Sequence, residues 1–288
     1  MSATAAPPVA RAAPPARGAL ADELVAIGVV WHRELLRFGR NRLRMVTSLV
    51  QPLLFLFVLG SGLSSMLPSS GGVDFRTFMF PGIIAMSVLF TSLFSALSIV
   101  WDREFGFLRE MLVAPVHRGA IVLGKCAGGA TIATIQGSVI LLLAGAVHVP
   151  YAPELLLALL GFMVVTAVAL TALGLLLASR MQQIESFMAV MNFVTLPMFF
   201  LAGAIFPPRG LPEWLSVLTK LDPLTYAVDP MRREVFAHVE ASPALERTLS
   251  AGVRWGSWTV PIGVELAIVA AVGALSLVLA IKAFARAE

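Results

Sequence analysis

Residues 118–129 read RGAIVLGKCAGG, and two folds compete for them. In the pattern G-x-x-x-x-G-K-[ST], a glycine-rich turn between a strand and a helix cradles phosphates, and the final hydroxyl holds a magnesium ion. Gly119, Gly124 and Lys125 keep that spacing, but Cys126 stands where the hydroxyl is required. The context is also wrong, because Gly119 opens a long apolar helix and does not follow a strand. No acidic residue closes an apolar strand elsewhere to hold a metal. A soluble nucleotide-binding domain is therefore excluded in favour of a helix entering a membrane. Lys125 then reads as an anchor snorkelling to the membrane surface. Gly124, Gly128, Gly129, Ala133 and Gly137 read as small residues that let this helix approach another closely.

The surrounding sequence agrees. Of 288 residues, 58% are hydrophobic and 13% charged, whereas an ordinary soluble domain carries about a quarter charged residues. Six apolar segments stand out, at residues 45–66, 79–100, 121–147, 155–178, 184–206 and 260–283. Each is about the length that crosses a bilayer as helix, so the fold class expected is an all-α membrane protein with six transmembrane helices. An even number of spans puts both ends of the chain on one side. Of the 21 Lys and Arg, 14 fall on that side, which makes the termini cytoplasmic. Orientation thus accounts for the net charge of +4, and no nucleic-acid partner is expected.

Residues 1–20 are rich in Ala and Pro and read as a disordered cytoplasmic tail, and residues 284–288 as a short cytoplasmic end. A signal peptide would need an apolar stretch soon after its basic start, yet the first long apolar run begins near Met45. The single Cys126 excludes an internal disulfide. His32, His117, His148 and His238 are scattered, and neither H-E-x-x-H nor G-x-S-x-G occurs. No catalytic residue, metal or cofactor is expected in this chain.

Three regions outside the spans carry pattern. Over residues 21–44, Leu24, Ile27, Trp31, Leu35 and Phe38 share about a 90° arc of a helical wheel, with Arg33, Arg37, Arg40 and Arg44 opposite. This predicts an amphipathic helix in the cytoplasmic interface, arginines toward anionic headgroups; a plain basic anchor is the alternative. Between spans two and three, Phe105, Leu108 and Leu112 recur at i, i+3 and i+7 among Asp102, Arg103, Glu104, Arg109 and Glu110, until Pro115 ends the helix. Apolar residues ringed by both signs of charge suit a groove on another protein better than lipid, although a solvated loop helix would show the same spacing. Between spans five and six, Leu211, Trp214, Leu215 and Leu218 are helically spaced. Pro212 suits a first helical turn there, and Pro223 and Pro230 break the rest of that loop into short pieces.

Within the spans, Glu265 lies about five residues from the outer end, which favours an interfacial position over a proton relay. Gln51, Gln136 and Asn192 are uncharged polar residues deep in spans one, three and five. They either line a substrate path with Phe55 and Phe199 or bond between helices.

The stretch DREFGFLREMLVAPVHRGAIVLGK, residues 102–125, resembles the signature of ABC-2-type transporter permeases, commonly close to E-R-E-x-G-T-L-E-x-L-L-V-T-P-x-x-R and ending in L-G-K. LAGAIFPPRGLPEWLSVLTKLDPLTYAVDPMR, residues 201–232, is similar to the family's second recurrent segment. Together with the six-span layout, the likeness extends over nearly everything after residue 20 and is nearest to the daunorubicin-resistance and nodulation-factor exporter permeases. Asp102, Phe107, Arg109 and Ala114 depart from the usual Glu, Thr, Glu and Thr.

The resemblance implies the permease subunit of a bacterial exporter in the cytoplasmic membrane, paired with a second permease chain, as a homodimer, and docked on two copies of a separate ATP-binding subunit. That partner, and not this chain, would hold ATP and magnesium. Asp102, Arg103, Glu104, Phe105, Gly106, Leu108, Arg109, Glu110, Leu112 and Pro115 would belong to the coupling helix that enters the ATPase. Trp31, Arg33, Glu34, Arg37 and Arg40 would belong to the elbow helix beside it, and spans one and five would line the dimer interface and pathway. The expected cargo is an amphipathic drug, antibiotic or lipid-like compound, with a lipid-linked glycan as the alternative. A proton-coupled carrier using Glu265 is the competing class.

Overall fold

The computed structural model describes residues 19–66, 74–106, 117–206, 211–239 and 252–286. Helices dominate, because a backbone in lipid has no water to bond and must satisfy its N–H and C=O groups within its own segment. Helix α1 (Ala19–Arg40) ends at Asn41, and α2 (Arg42–Leu53) follows at once. It continues through a π-helical turn (Leu54–Leu59) into α3 (Gly60–Met66). The slip to π geometry comes directly after Pro52, which has no N–H to donate to the preceding turn.

Helix α4 (Phe75–Ser95) and α5 (Leu97–Glu104) are nearly collinear, joined by a turn at Ala96. Then come α6 (Arg118–Leu141), a 3-10 turn (Ala144–Val147), α7 (Pro153–Ala178) and α8 (Ile184–Leu201). Two shorter helices, α9 (Glu213–Leu221) and α10 (Thr225–His238), precede a small hairpin of β1 (Arg254–Trp255) and β2 (Trp258–Thr259). The chain closes with α11 (Ile262–Arg286).

Among the described residues, five helical stretches are long and apolar enough to span a membrane: Met45–Ser65, Phe75–Glu104, Pro153–Ala178, Ile184–Leu201 and Ile262–Phe284. Helix α6 is not among them, although six spans were expected. Lys125, Gln136 and its glycines dilute its hydropathy. It nevertheless packs between α1, α4 and α7, and a helix enclosed by other helices does not need a continuous apolar surface.

The α4 helix is the most enclosed, with Phe80, Ile83, Ile84 and Leu89 wholly buried. The stretch through α2 and α3 and helix α8 are the least enclosed. One end of the bundle, here the near end, brings together Glu34, Asp102, Lys125 and Ser179; Ile281 of α11 also sits there, beside Gly119. At the far end, Thr77 of α4 bonds the Val147 carbonyl at 2.7 Å, and α10 packs against α4, α7 and α11.

Several expectations change. The third apolar segment was set at residues 121–147, but its helix stops at Leu141 and the chain turns through the 3-10 segment. Helix α9 forms where expected, with Pro212 just before it as its cap residue and not inside its first turn. Pro230 lies within α10, which runs on through it instead of breaking. The hairpin was not expected in an all-α chain; Gly256, at φ +65°, makes its two-residue turn possible.

Candidate functional site

The near end is organised by a buried lysine. Lys125 is 2% exposed, about two turns into α6. Its Nζ donates to Asp102 Oδ2 at 2.7 Å, to Ser98 Oγ at 2.9 Å and to Glu34 Oε1 at 3.0 Å. All three ammonium protons therefore have acceptors. Reading Lys125 as a snorkelling surface anchor is corrected by this geometry. The reason is that α1 covers the position: its own Glu34 supplies a counter-charge, so the lysine has no need to reach solvent.

Asp102 is equally enclosed and accepts on both sides. Arg33 Nη2 reaches its Oδ2 at 3.0 Å, and Arg37 Nη1 lies 3.7 Å from its Oδ1. Two carboxylates and three cations thus bind α1, α5 and α6 into one ionic cluster. A buried pair contributes little net stability against neutral replacements, yet losing one member leaves a costly unpaired charge. The cluster therefore fixes how the three helices sit.

Glycine makes this approach possible. A Cβ on Gly124 would fall 2.7 Å from Val30 Cβ, and one on Gly128 would fall 2.7 Å from Glu34 Cβ. Neither neighbour has room to yield, so α1 rests directly on the backbone of α6. The expected role of these small residues holds, with α1 as the partner. Trp31 extends the contact by donating to Thr131 Oγ1 at 3.1 Å.

The elbow helix was expected to aim its arginines at headgroups. Instead Arg33 and Arg37 turn to Asp102, and the face against α6 is centred on Val30 and Glu34, at the seam between apolar arc and arginines. Leu24, Val25, Val29 and Leu36 face outward. Arg40 is exposed at the last turn of α1.

The segment proposed as a coupling helix does not run unbroken from Asp102. Helix α5 ends at Glu104, and Gly106 takes φ +79°, a left-handed conformation that stops a helix and suits glycine alone. Leu108, Arg109, Glu110, Leu112 and Pro115 lie outside the described residues. Arg103 Nη1 donates to the carbonyls of Ser179 at 3.1 Å and Met181 at 2.7 Å, and Glu104 Oε2 accepts from the Ile184 amide at 2.8 Å. Trp101, Glu104 and Phe105 are exposed here, and the rings of Trp101 and Phe105 lie 5.4 Å apart.

Beside the cluster lies a cavity of about 570 Å³ bounded by α1, α2, α4, α5, α6 and α8. Phe38, Phe90, Phe94 and Trp101 form aromatic parts of its wall, with Phe90 and Phe94 stacked at 6.2 Å. Thr47, Ser48, Gln51, Thr91 and Ser95 supply neutral polar groups. Glu34, Arg37 and Lys125 border it with their charges engaged in the cluster.

The suggested path residues do not share this space. Gln51 lines it, whereas Gln136 is buried and donates to Ser48 Oγ at 2.7 Å, joining α6 to α2. Phe199 is buried against Phe55, rings 5.7 Å apart, deeper along α8. Asn192 is exposed on the outer face of α8 together with Phe193 and Leu196. The single-sequence reading missed Glu34 and Lys125 as partners, since 91 positions separate them. Their unpaired look within apolar helical patterns was the available signal.

A second polar knot sits at the far end. Glu265, in the first turn of α11, is fully buried by protein, and its Oε1 pairs with Arg233 Nη2 at 2.9 Å. Arg233 also binds Asp229 and the Val260 carbonyl, tying α10 to α11. Arg232 is wholly buried, donates to the Gly203 carbonyl and lies 4.6 Å from the centre of the Phe78 ring. Burial pulls its pKa down to about 10, while Asp229 opposes the shift.

A helical bundle with several stretches able to cross a membrane and a cavity beside an ionic junction fits the membrane subunit of a transporter. The chain belongs to the ABC-2 type transporter family, whose model matches residues 25–236. It is 30% identical to Nodulation protein J of Rhizobium leguminosarum bv. trifolii over 212 residues, 73% of this chain and 80% of that one. Nodulation protein J of Rhizobium meliloti is 31% identical over 70% of this chain and 78% of its own. A probable multidrug ABC transporter permease, YbhR, of Escherichia coli is 32% identical over 54% of this chain and 43% of its own. Members of this family are transporter membrane subunits without an ATPase of their own and work with ABC ATP-binding partners. The stretch RGAIVLGK accordingly has helical geometry, and its lysine is occupied within the bundle.

Proposed function

We propose that this chain is the permease of an ATP-driven exporter in a bacterial cytoplasmic membrane, with the near end and both termini cytoplasmic. Helix α6 serves as the sixth span, enclosed by its neighbours and so free to carry Lys125 and Gln136. Two copies of a separate ATPase subunit dock beneath the near end and hold the ATP and magnesium. The exposed apolar faces of α2 with α3 and of α8, including Leu43, Val46, Val58 and Phe193, support pairing with a second copy along these two helices.

The observation that carries the reading is the junction at the tip of α5, where Asp102, Arg103 and Glu104 grip α1, α6 and the α7–α8 linker at once. A push delivered there would reach α1, α6 and the start of α8, three of the helices around the cavity. The wall of that cavity combines aromatic rings with neutral hydrogen-bonding groups, chemistry that fits an amphipathic compound such as a drug, antibiotic or lipid-like molecule.

The bond from Arg233 to Glu265 ties α10 to α11 and gives this carboxylate a packing role, which favours the exporter reading over a proton-coupled carrier. Transport into vesicles holding the chain with and without its cognate ATPase tests the proposal. ATP-dependent movement is expected. Movement driven by a proton gradient alone, and abolished by Glu265→Gln, would overturn it.

A further inference from the structure

Three consecutive charged residues end α5, and successive residues on a helix point about 100° apart. Asp102 faces α1 and α6. Arg103 and Glu104 face the opposite neighbour, the short linker between α7 and α8. There Arg103 donates to the carbonyls of Ser179 and Met181, at 3.1 and 2.7 Å. Glu104 accepts from the amide of Ile184 at 2.8 Å. These are groups that helix ends leave without partners: Ser179 follows the last turn of α7, and Ile184 is the first residue of α8. A carboxylate on a helix N-terminus is favoured by the helix dipole, and charge-assisted bonds of this kind are short and directional.

The bracket has mechanical content. Ile184 and Met188 are one turn apart on α8, and Met188 lines the cavity. Helix α8 is also among the least enclosed spans, so few neighbours within this chain hold it. A displacement of the α5 tip is handed through Glu104 to the start of α8 and, one turn later, to the cavity wall.

We propose that Arg103 and Glu104 are positioning residues that transmit movement of the α5 tip into α8, and that neither side chain binds the ATPase. The proposal rests on the exporter reading. The test uses the permease with its cognate ATPase in vesicles, measuring affinity between the two, ATP hydrolysis and export. Arg103→Ala and Glu104→Ala are expected to keep affinity and hydrolysis while export per ATP falls by about tenfold, the loss expected of one charge-assisted hydrogen bond. Glu104→Gln keeps an oxygen for the Ile184 amide and should recover most of the export. A tenfold weaker ATPase affinity in Glu104→Ala would overturn the proposal by putting the carboxylate on the partner. Unchanged export per ATP would overturn it by removing the transmission. Wild-type chain that neither binds an ATPase nor exports with ATP would instead overturn the exporter reading, and this proposal with it.

Discussion

Lys125→Met is the sharpest probe of the near end, because it keeps the unbranched stem and deletes only the charge. The ammonium sits 2.7 Å from Asp102 and 3.0 Å from Glu34. Without it, Asp102 keeps Arg33 at 3.0 Å, whereas Glu34 keeps only the same arginine at 3.6 Å. Removing one member of a buried pair costs about 3–5 kcal/mol. Arg33 shelters part of the remaining charge, so the lower end, about 3 kcal/mol, is expected. At about 2–4 °C per kcal/mol for a chain of this size, the midpoint falls by about 6–12 °C. Thermal unfolding of the detergent-purified chain, followed by tryptophan fluorescence, measures it.

The triple variant Lys125→Met, Glu34→Gln, Asp102→Asn removes every buried charge of the cluster, while Arg33 and Arg37, each nearly half exposed, stay solvated, and it should return to within about 1 kcal/mol of wild type. A lysine snorkelling at the surface would behave differently, since losing it changes stability by no more than about 0.5 kcal/mol. If Lys125→Met unfolds within that margin, or if the triple variant is worse than the single, the buried cluster is refuted.

Gly128→Leu drives a side chain into Glu34 and pushes α1 off α6; overpacking of about 1–3 kcal/mol is expected, read as a lower melting midpoint and faster labelling of a cysteine placed at Thr131. Gln136→Leu removes the bond to Ser48 and should cost about 0.6–1.7 kcal/mol by the same unfolding assay. Asp222 lies outside the candidate spans, and burial raises its pKa to about 8 against the pull of the Leu224 amide. The folded chain thus keeps this proton to about pH 8, while the unfolded chain releases it near about 3.9. The stability it contributes is complete below the lower value and lost as pH rises through the upper. Between pH 5 and 9 the melting midpoint should fall in wild type and fall less in Asp222→Asn; equal slopes would remove Asp222 from the account.

The helices were legible because apolar run length and charge placement are local properties. Helix α9 was readable from Leu211, Trp214, Leu215 and Leu218 for the same reason. The orientation of helices whose faces serve each other stayed hidden. The wheel of α1 shows an apolar arc and an arginine arc, and membrane logic assigns one to lipid and the other to headgroups. Nothing in that wheel says that Gly124 and Gly128 offer a bare strip of backbone about a hundred positions away. Once α1 settles there, Glu34 at the seam becomes the contact, and Lys125 loses its route to the surface. Asp102 was expected among charges meeting a partner's groove; that its counter-ions come from α1 and α6 of the same chain is not a local property of the sequence. The early stop of α5 was more accessible, since Gly106 is the residue best able to take a positive φ.

The charged triplet that ends α5 changes what this tip can offer a partner. A helix ringed by both signs of charge suggests docking through ion pairs, yet Asp102, Arg103 and Glu104 each bond a partner within the bundle, on α6, the α7–α8 linker and the start of α8. Beside the exposed Glu104 stand Trp101 and Phe105, 42% and 58% exposed and in contact with each other. Aromatic side chains of this kind carry much of the energy of protein contacts, and desolvating them leaves no charge unmatched. On the proposed exporter reading the labour divides: the ionic residues fix the tip to its neighbouring helices, and the aromatic ones would receive force from the partner. The α5 tip can therefore be pressed from outside without first breaking the bonds that pass its movement on.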